Sequence, residues 1–576
     1  MNYAASANKS IPAKLPGWRA TVLFVALLCG LAGLLGRGVY LQGIHNDFLQ
    51  EKGNARYSRV VEVSAHRGMI SDRNGDPLAV STPVESVWAS PADVVADNKQ
   101  VKQLALILGV GVEELKNRLF DASRDFVYLK RQLPPDQAEK VAALNLPGVS
   151  LRREYRRYYP AGEEAAQLLG FTGMDDNGQE GLELAFQEQL AGKPGSQRVI
   201  KDRRGRIVED AGSLRAPKPG ADIALSMDVK IQYLAYRELA DAVREHRAKA
   251  GAVVVLDARS GEVLALANYP GYNPNNRGKA RPQAMRNRAI TDLFEPGSTM
   301  KPFTVAAAIE QGKVRPDSLI NTEHGVMTVG NRKIHDSHPE TMLTVSQIIQ
   351  KSSNIGSAKM ALMLPSETLW QSLSDSGFGA PTGSNFPGEA SGRLRAPKSW
   401  RPIEQATMSY GHGLSVNLLQ LARAYTVFAN GGELKPVSLR KLEAPATGKK
   451  VFSDSTARAL RDMMELVVLP GGTAPLAQVA GYRVGGKTGT AHKLENGRYI
   501  NSYVASFVGF APASDPRLIV AVMIDEPSAG KYYGGLVAAP VFSKVTAAAL
   551  HELNVPNDAP LDNVIAPPTD IIREEV

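Results

Sequence analysis

The chain is 576 residues long, which exceeds one ordinary domain and favours about three or four units. Hydrophobic residues make up 43% and charged residues 22%, a composition typical of globular protein that excludes a fibre, a disulfide scaffold and wholesale disorder. The 67 lysines and arginines exceed the 58 acidic residues only mildly, so we expect the net charge of +9 to be solvated surface and not a nucleic-acid site.

The first element in the chain is a predicted membrane-spanning helix. The sequence ATVLFVALLCGLAGLLG, residues 20–36, carries no charge. As a helix it spans roughly 26 Å, close to the thickness of a bilayer core, and apolar residues extend it to about residue 41. A cleaved signal peptide is the alternative, but no clear small-residue cleavage site follows. We therefore predict an uncleaved anchor at residues 20–41.

Basic residues give this anchor an orientation. Lys9, Lys14 and Arg19 precede it without an acidic residue, so we expect residues 1–19 to stay in the cytoplasm and the chain after the anchor to be exported. Cys29 is the only cysteine and lies within the apolar segment. The exported part therefore forms no internal disulfide and no thiolate metal site.

Residues 42–220 mix strand-like and helical patterns and predict an α+β domain. In VKQLALILGVGVEELKNRL, residues 101–119, apolar residues recur at helical spacing. AHRGMISDRNGDPLA and REYRRYYPAGEEAAQLLGF, residues 65–79 and 153–171, are dense in Arg, Asp, Glu and Gly. Because such side chains often hold irregular loops together by bidentate pairs, we interpret both segments as structural and not catalytic.

A second domain is predicted over residues 221–553, after the Gly/Pro-rich connector GSLRAPKPGAD. An amphipathic helix at residues 228–248 precedes two strands that flank a turn at residues 259–261. SYVASFVGFAP and RLIVAVMIDEP read as neighbouring strands near the end, and VFSKVTAAALHEL as a closing helix. These patterns predict an antiparallel sheet that takes strands from both ends of the domain and is flanked by helices. The proline-containing residues 554–576 predict a mostly disordered, flexible tail.

A serine followed three positions later by lysine occurs four times, at Ser6, Ser298, Ser438 and Ser528. Only FEPGSTMKPF, which contains Ser298, combines a Pro-Gly break with the start of an Ala-rich helical pattern. Residues i and i+3 share a helix face, so the amine of Lys301 can reach the Ser298 hydroxyl. Lysine can act as the base for a serine nucleophile if burial or another cation lowers the lysine pKa. The pattern therefore predicts a Ser-Lys pair with a second lysine nearby.

Two further motifs follow within the same predicted domain. KSSNIG supplies Ser352 and Asn354 after an apolar helical pattern. VGGKTGTAHK supplies Lys487 at a strand-like start, within the only K-[ST]-G of the chain. An S-x-N alone is a weak signal and a K-T-G a moderate one, but S-x-x-K, S-x-N and K-T-G-T in this order are highly specific.

These three motifs resemble the signature of the penicillin-recognising acyl-serine enzymes. NRAITDLFEPGSTMKPF, QKSSNIG, SYGHGLSVNLLQLARAY and VGGKTGTAHK, with the upstream RGMISDRNG, RRYYPAGEEAAQLLGF and GLELAFQEQLAG, are similar to class B penicillin-binding proteins over about residues 67–553, and most similar to the members specific to cell division. The resemblance implies an α+β fold: a single N-terminal transmembrane helix, an elongated α+β pedestal of the dimerisation type, and a transpeptidase domain like the serine β-lactamases. It implies peptidoglycan D,D-transpeptidase activity, no metal, no cofactor and inhibition by β-lactams.

The resemblance also implies a role for each motif residue. Ser298 would attack the carbonyl between the last two D-alanines of a stem peptide, with Lys301 accepting its proton and Lys487 keeping Lys301 partly neutral. Ser352 and Lys487 would pass a proton to the departing D-alanine, while Asn354 binds the donor amide. An amine of a neighbouring stem would then take the acyl group, which makes a cross-link.

Further implied roles concern the K-T-G-T strand. Backbone N–H groups of Ser298 and Thr490 would form the oxyanion hole, typically worth roughly 3 kcal/mol per donor. The hydroxyls of Thr488 and Thr490 suit the terminal carboxylate, and Gly489 permits a close approach of the strand. No glutamate is identified at the position of the deacylating base of class A β-lactamases, so we expect slow hydrolysis of a β-lactam acyl-enzyme.

Four tyrosines are candidates for an aromatic wall of the cleft: Tyr410, Tyr503, Tyr532 and Tyr533. Ordinary turn and strand aromatics are the alternative. HDSH, residues 335–338, has metal-like spacing but no evident third ligand, and we interpret it as a loop with solvated histidines. His412 and His492 border motifs and are assigned no catalytic role.

The resemblance implies a single-pass protein of the bacterial inner membrane, with its catalytic domain in the periplasm at the division septum. No glycosyltransferase-sized domain precedes the pedestal, so a membrane glycan polymerase and other division proteins are expected partners, beside stem peptides and β-lactams and without nucleic acid. One alternative is a D,D-carboxypeptidase or β-lactamase, against which the long pedestal and the anchor argue. The other is a β-lactam sensor or septal scaffold with little turnover, against which the complete set of motif residues argues.

Overall fold

The computed structural model describes residues 16–44, 58–121, 123–201, 207–495 and 497–566. Most of the predicted cytoplasmic tail, with Ser6, and the last ten residues of the predicted C-terminal tail lie outside the described residues. The chain forms two compact units, of which the first comprises Met1–Ser64, Val84–Glu154 and Pro194–Lys218, and the second comprises Ala65–Pro83, Tyr155–Lys193 and Pro219–Val576. The domain boundaries drawn from the sequence remain predictions.

A long apolar helix begins the described part of the chain. Gly17–Val39 is α-helical, Tyr40–Ile44 continues it as a π-helical turn, and no residue of Gly17–Val39 is buried. Its 23 residues span roughly 35 Å at about 1.5 Å per residue, which is enough to cross a bilayer core. Residues Gly17–Gly43 are also apolar enough to do so. The helix supports the predicted single-pass anchor.

The first unit has a small core of its own. Helices Asn98–Leu108, Val112–Leu119 and Pro135–Ala143 pack with strand Val127–Leu133 around apolar side chains such as Leu104 and Leu129. The predicted helix over residues 101–119 is divided, because Gly109 takes a left-handed conformation (φ 63°) that ends the first helix.

Strands complete the first unit. The second half of strand Pro77–Ala89 pairs with strand Val127–Leu133. Strand Val149–Tyr158 follows helix Pro135–Ala143 in the chain and begins within this unit. Ser58–Val63, Gly195–Lys201 and Ile207–Arg215 form a separate antiparallel sheet of three strands. The last of these strands extends into the first residues of the predicted connector, which therefore begins later than the sequence suggests.

A buried ion-pair cluster holds together the early segments of the second unit. Arg67 Nε donates to Glu183 Oε2 at 2.7 Å, and Arg157 Nε donates to Glu183 Oε1 at 2.6 Å. Arg67 and Glu183 are fully buried and the side chain of Arg157 is 1% exposed. Two guanidinium groups thus share one carboxylate, which confirms the structural interpretation of both charge-rich segments. Short elements surround the cluster: Ile70–Ser71, Ala166–Leu169, Phe171–Thr172, Gly178–Glu180, Gly181–Ala185, Gln187–Leu190 and Ile223–Ala224.

The second unit is built on a five-stranded antiparallel sheet. Its strands are β1 (Ala250–Asp257), β2 (Val263–Tyr269), β3 (Gly485–Glu495), β4 (Arg498–Ala511) and β5 (Leu518–Asp525), in the spatial order β2-β1-β5-β4-β3. Every neighbouring pair is antiparallel, and β3 lies at one edge. Every residue of β1 and β5 is buried, so both faces of the sheet are covered. The predicted antiparallel sheet with strands from both ends of the domain, and with it the α+β fold class, is confirmed.

Helices and short strands cover this sheet. The helices named below are α1 (Val229–Glu245), α2 (Lys301–Glu310), α3 (Val345–Lys351), α4 (Asn354–Leu362) and α5 (Ala539–Glu552). The other helices are Pro282–Met285, Arg288–Thr291, Ser366–Asp375, Pro402–Met408, Leu418–Ala424, Thr426–Ala429, Asp454–Glu465 and Gly534–Val537. The short strands are Leu319–Asn321, Val326–Val329, Arg332–His335, Met342–Thr344, Glu433–Leu434 and Lys449–Lys450. Helices α1 and α5, both predicted from the sequence, pack on each other and on the sheet.

The C-terminal segment differs from its prediction where the structure describes it. Asp558 accepts hydrogen bonds from Arg483 N at 2.7 Å and from Ser514 Oγ at 2.6 Å, and Asn563 Oδ1 accepts one from Gly481 N at 3.0 Å. Residues 554–566 are thus attached to the rest of the second unit and are not a flexible tail. Prolines predict loss of regular structure, but side chains that bond to a neighbouring backbone can still hold an irregular segment.

Replacement of Glu183 tests the ion-pair cluster. We expect Glu183→Ala to lower the free energy of unfolding by about 3–5 kcal/mol, because two buried guanidinium groups lose their shared carboxylate. Urea unfolding followed by circular dichroism measures the change, with the exposed Glu180→Ala as the matched control. Equal unfolding midpoints for the two variants would contradict the structural role.

Candidate active site

The predicted Ser-Lys pair lies at the start of α2. A 3₁₀ turn, Gly297–Met300, leads directly into the helix, and Gly297 takes a left-handed conformation with φ 58°. Lys301 is fully buried and Ser298 is 6% exposed. Lys301 Nζ lies 2.8 Å from Ser298 Oγ, within hydrogen-bond distance. Pro302 falls in the first turn, where its missing N–H costs no helical hydrogen bond. The helix start therefore places an amine against the only serine of the motif.

The S-x-N motif forms the junction between α3 and α4. Ser352 ends α3 in a left-handed conformation (φ 63°, ψ 40°), and Ser353 caps α4 by accepting a hydrogen bond from Gly356 N at 2.9 Å. The left-handed turn brings Ser352 against the Ser-Lys pair. Lys301 Nζ donates to the Ser352 carbonyl at 2.5 Å and to its hydroxyl at 3.0 Å. A second serine hydroxyl thus contacts the same amine as Ser298.

The K-T-G-T motif lies on edge strand β3. Lys487 is fully buried, and its Nζ donates to Ser352 Oγ at 2.8 Å and to Thr488 Oγ1 at 3.1 Å. Ser298, Lys301, Ser352 and Lys487 therefore form one continuous chain of hydrogen-bonding groups. This chain can carry a proton in either direction between the serine and the second lysine.

Gly489 allows β3 to lie against the start of α2. A Cβ atom at this position would lie 2.7 Å from the Pro296 carbonyl oxygen and 2.5 Å from Ser506 Oγ, closer than real atoms approach. Any larger residue would push the strand away from the serine. The absence of a side chain here therefore sets the distance between the strand and the nucleophile.

The two threonines of the motif have different surroundings. Thr488 is fully buried and its hydroxyl lies 2.8 Å from the hydroxyl of Thr473. Thr490 accepts a hydrogen bond from Gly534 N at 3.0 Å and lines a cavity of about 170 Å³ together with Ser298. The structure therefore brings Thr490 to the cavity and places Thr488 behind it, against Lys487.

The same cavity collects several of the predicted site residues. Asn354 and Tyr410 line it beside Ser298 and Thr490, and so does His412. Strand Arg332–His335 forms the opposite wall. Lys301, Ser352 and Lys487 do not line the cavity and lie beneath its surface, so Ser298 is the member of the hydrogen-bonded chain that a ligand in the cavity can reach.

The two other serine-lysine pairs that the structure describes do not form such a site. Ser438 Oγ donates to the Arg440 carbonyl at 2.7 Å, and Ser528 Oγ donates to the Arg247 carbonyl at 2.7 Å. The first bond is local and the second joins two distant segments, and neither involves the lysine of the pair. Among the described residues, Ser298 is therefore the one serine of this spacing whose hydroxyl contacts its lysine.

Comparisons with known proteins agree with this geometry. The family described as "Penicillin binding protein transpeptidase domain" matches residues 251–547, and "Penicillin-binding Protein dimerisation domain" matches residues 62–225. The probable peptidoglycan D,D-transpeptidase PenA of Neisseria meningitidis is 46% identical over 94% of this chain and 94% of its own length. The peptidoglycan D,D-transpeptidase FtsI of Escherichia coli is 45% identical over 94% of this chain and 93% of its own. The chain belongs to the class B penicillin-binding proteins.

A solved structure extends the comparison to this penicillin-binding protein's fold. The apo transpeptidase domain of penicillin-binding protein 3 from Burkholderia pseudomallei is 50% identical, with a TM-score of 0.54, over 58% of this chain and 98% of that domain. The family resemblance drawn from the motifs is therefore confirmed. The roles of individual residues and the limits of the domains stay predictions.

The four tyrosines of the predicted wall divide into two groups in this penicillin-binding protein. Tyr503 and Tyr532 stack at 4.2 Å between ring centroids, and Tyr532 lies 4.4 Å from Tyr533. Tyr410 instead packs edge-on against His412 at 5.3 Å and lines the cavity of Ser298. Three tyrosines thus form one cluster, and the fourth belongs to the serine pocket.

Asp336 is a site residue that sequence reasoning missed. It lies in the HDSH segment, whose first residue ends strand Arg332–His335 and is therefore not part of a loop, while His335 and His338 are exposed as predicted. Asp336 Oδ1 accepts hydrogen bonds from Asn354 N at 2.6 Å and Ile355 N at 3.0 Å, and Oδ2 accepts one from Ser353 Oγ at 2.5 Å. Its carboxylate thus holds the start of α4. Aspartate is a typical helix-capping residue, but nothing in the sequence links it to a helix that begins 18 residues later.

His412 was assigned no role from the sequence, yet it faces the reacting groups. Burial lowers the pKa of His412 to about 4, and the charges of Lys301 and His492 contribute in the same direction. Its ring also lies 6.3 Å from that of Tyr499, whose hydroxyl donates to Glu295 Oε2 at 3.0 Å. The imidazole therefore stays neutral at neutral pH and adds no charge beside the lysine.

Replacement of Asp336 tests its positioning role. We expect Asp336→Ala to slow acylation of Ser298 by a fluorescent penicillin by about tenfold or more, because a small displacement of Asn354 and Ser352 misplaces groups around the reacting atoms. Asp336→Asn should retain part of the rate, since its amide oxygen can still accept the backbone hydrogen bonds. The exposed neighbour Ser337→Ala is the control, and a rate for Asp336→Ala equal to that of this control would contradict the role.

Acidification tests the environment of His412. The folded protein resists protonation of this histidine while the unfolded chain accepts a proton near pH 6.5, so its contribution to stability is present above that pH and is lost as pH falls towards about 4. We expect His412→Gln to lose less stability than the wild type between about pH 7 and about pH 5, by about 1–3 kcal/mol.

Urea unfolding at the two pH values measures this difference. Burial raises the pKa of Glu295, which acts in the opposite direction but is present in both proteins and cancels in the comparison. Parallel pH profiles for the two proteins would show that His412 titrates normally.

Proposed function

We propose that this chain is a peptidoglycan D,D-transpeptidase that cross-links D-Ala-D-Ala stem peptides through a Ser298 acyl-enzyme. The observation that carries the proposal is the buried chain from Ser298 through Lys301 and Ser352 to Lys487, with contacts of 2.8, 3.0 and 2.8 Å. The identities of 46% to PenA and 45% to FtsI, both named as peptidoglycan D,D-transpeptidases, support the same reaction.

Acylation begins at Ser298. Burial opposes the charged form of a lysine, and a neighbouring like charge opposes it further, so Lys301 beside Lys487 is suited to be the neutral amine. Its Nζ takes the proton as Ser298 Oγ attacks the carbonyl carbon between the two terminal D-alanines. Backbone N–H groups of Ser298 and Thr490 stabilise the negative oxygen that forms.

Departure of the terminal D-alanine requires a proton on its nitrogen. The C–N bond breaks as this proton arrives, and the donor remains as an ester of Ser298. Ser352 connects the two lysines, so the proton held by Lys301 passes through its hydroxyl with Lys487 as the charged partner. Two contacts hold the donor peptide. Asn354 binds an amide of the stem, and Thr490 together with Thr488 suits the terminal carboxylate.

The second half-reaction transfers the acyl group to an amine. The acceptor nitrogen attacks the ester carbonyl, its proton passes to the neutral Lys301, and Ser298 Oγ leaves with the proton returned to it. The same groups thus act in reverse order. β-Lactams enter the first half-reaction only: their ring amide acylates Ser298, and the fragment that remains attached blocks the acceptor.

The anchor and the relatives support a cellular setting. We place the helix Gly17–Val39 as a single-pass anchor in the bacterial inner membrane, with the catalytic domain in the periplasm. Basic residues before the helix support this orientation. The identity to FtsI supports septal cell-wall synthesis, in which a membrane glycan polymerase and other division proteins are the partners.

Replacement of the nucleophile tests the proposal. We expect Ser298→Ala to abolish covalent labelling by a fluorescent penicillin, because Ser298 lines the cavity while Ser352, the other serine that contacts these lysines, lies beneath it. Ser528→Ala, which removes another serine followed three positions later by lysine, should label like the wild type. Stoichiometric labelling of the Ser298→Ala protein would refute the assignment.

Turnover separates a transpeptidase from a carboxypeptidase and from a sensor. The full-length protein in detergent is given a D-Ala-D-Ala or thioester donor with an amine acceptor, and the products are separated by mass. A transpeptidase forms the donor–acceptor adduct, a carboxypeptidase forms the hydrolysed donor alone, and a sensor forms neither while it still binds penicillin.

A further inference from the structure

A second and larger cavity lies beside the one that contains Ser298. Its volume is about 530 Å³. Thr490 and His412 line the smaller cavity, and the next residues in the chain, Ala491 and Gly413, line the larger one. The larger cavity therefore follows β3 away from the reacting serine. No step of the mechanism described above uses it.

Cationic side chains mark this cavity, and two of them are fixed in place. Lys493 donates to Asp525 Oδ1 at 2.7 Å and to Glu526 Oε1 at 2.6 Å. Arg395 Nη1 donates to Glu404 Oε1 at 3.1 Å. Both cations line the cavity while their carboxylate partners do not. Their charges are balanced by these carboxylates, so neither is free to bind an anion in the cavity.

Arg393 is the cation that remains available for a ligand. Its backbone is fixed by two hydrogen bonds with Ser415, Arg393 N to the Ser415 carbonyl at 2.8 Å and Ser415 N to the Arg393 carbonyl at 3.1 Å. Its side chain is exposed at the cavity, and within the described part of the chain it has no ion pair. A rigid backbone thus presents a guanidinium with its planar donors open to a carboxylate.

The acidic residue of the cavity is already occupied. Glu295 accepts hydrogen bonds from Gly413 N at 2.9 Å and Tyr499 Oη at 3.0 Å, and burial raises its pKa. Apolar residues, among them Phe294 and Leu414, supply the remaining surface. The cavity therefore combines one arginine without an ion pair, Arg393, with an apolar lining, which suits a peptide segment that carries a carboxylate.

We propose that this cavity binds a carboxylate of the donor stem peptide on the amino-terminal side of its D-Ala-D-Ala, with Arg393 as the main partner. The proposal rests on the proposed function, in which Asn354 and Thr490 hold the donor beside Ser298. β3 is an edge strand, so an extended peptide can lie along it. A donor that runs past Thr490 reaches Ala491 and the cavity within one or two residues, at about 3.3 Å per residue.

Two donor peptides that differ in one group test the proposal. Both end in D-Ala-D-Ala, and the upstream carboxylate is free in one and amidated in the other. The full-length protein in detergent is given each donor with the same amine acceptor, whose side chain carries no charge. The release of D-alanine is followed, and kcat/KM is measured for each donor. We expect the wild type to prefer the free carboxylate by about five- to tenfold, as for a partly exposed charge pair.

Variants at one position assign this preference. Arg393→Gln should remove it, so that both donors react like the amidated one, and Arg393→Glu should reverse it. A third donor with an amine in place of the carboxylate should react faster with Arg393→Glu than with the wild type. Arg458→Gln, which removes an exposed arginine on helix Asp454–Glu465, is the matched control and should keep the preference. Penicillin acylation should change less than twofold in every variant.

Several results would overturn the proposal. The proposal is wrong if the preference persists in Arg393→Gln, if this variant loses activity equally towards both donors, or if the wild type does not distinguish the donors. If the rate instead depends on a carboxylate of the acceptor, the bound anion belongs to the acceptor and the assignment to the donor is rejected. Failure of the proposed function would give a different result, because the wild type would then release D-alanine from neither donor. The concentrations at which the two peptides halve penicillin labelling would still compare their binding.

Discussion

The site depends on one constraint: two buried lysines share the hydroxyl of a single serine. Lys301 and Lys487 are fully buried and lie 3.0 and 2.8 Å from Ser352 Oγ. Removing an ammonium ion from water costs several kcal/mol, and a second positive charge at this distance adds to that cost. Burial therefore favours leaving one amine neutral, and on our proposal this amine is Lys301, the base for Ser298. The folding of the site and its chemistry follow from the same unfavourable electrostatics.

The backbone holds this arrangement by close contacts that few residues could make. Ser352 takes a left-handed conformation, which costs a non-glycine residue about 1–2 kcal/mol. On the other side, a Cβ at Gly411 would lie 2.1 Å from the Gly297 carbonyl oxygen, and Gly489 is similarly confined. The backbone of Pro296 and Gly297, which precedes Ser298, thus lies against two glycines that have no side chain. Strain and lost side chains at the site are offset by the core of the sheet, where every residue of β1 and β5 is buried.

The sequence was most informative where a short segment determines its own structure. The Pro-Gly break before Ser298, the helical pattern after it and the strand-like start of the K-T-G-T motif each contain their own signal, and the structure has a 3₁₀ turn, a helix and a strand there. The antiparallel sheet was predictable because β4 and β5 are strongly apolar runs. Asp336 was not predictable, because its role depends on a helix start that the chain reaches only later. The attachment of residues 554–566 was missed for the same reason: its hydrogen bonds are made to distant loops.

Arg393 is the clearest example of a residue whose role the sequence does not reveal. It also connects recognition of the stem peptide to the chemistry at Ser298. In the sequence it is one of 67 basic residues, and only the pairing with Ser415 and the path of β3 bring it to a cavity beside the serine. On our proposal a stem peptide occupies both cavities and is held at two points along β3. A small β-lactam with no upstream carboxylate needs only the smaller one.

Binding energy from the larger cavity then helps to position the stem peptide, but not a small inhibitor that occupies only the smaller cavity. A change around Arg393 alters which donor is used and leaves the chain from Ser298 to Lys487 intact. Substrate choice and nucleophile activation thus belong to neighbouring cavities beside one edge strand and can vary separately.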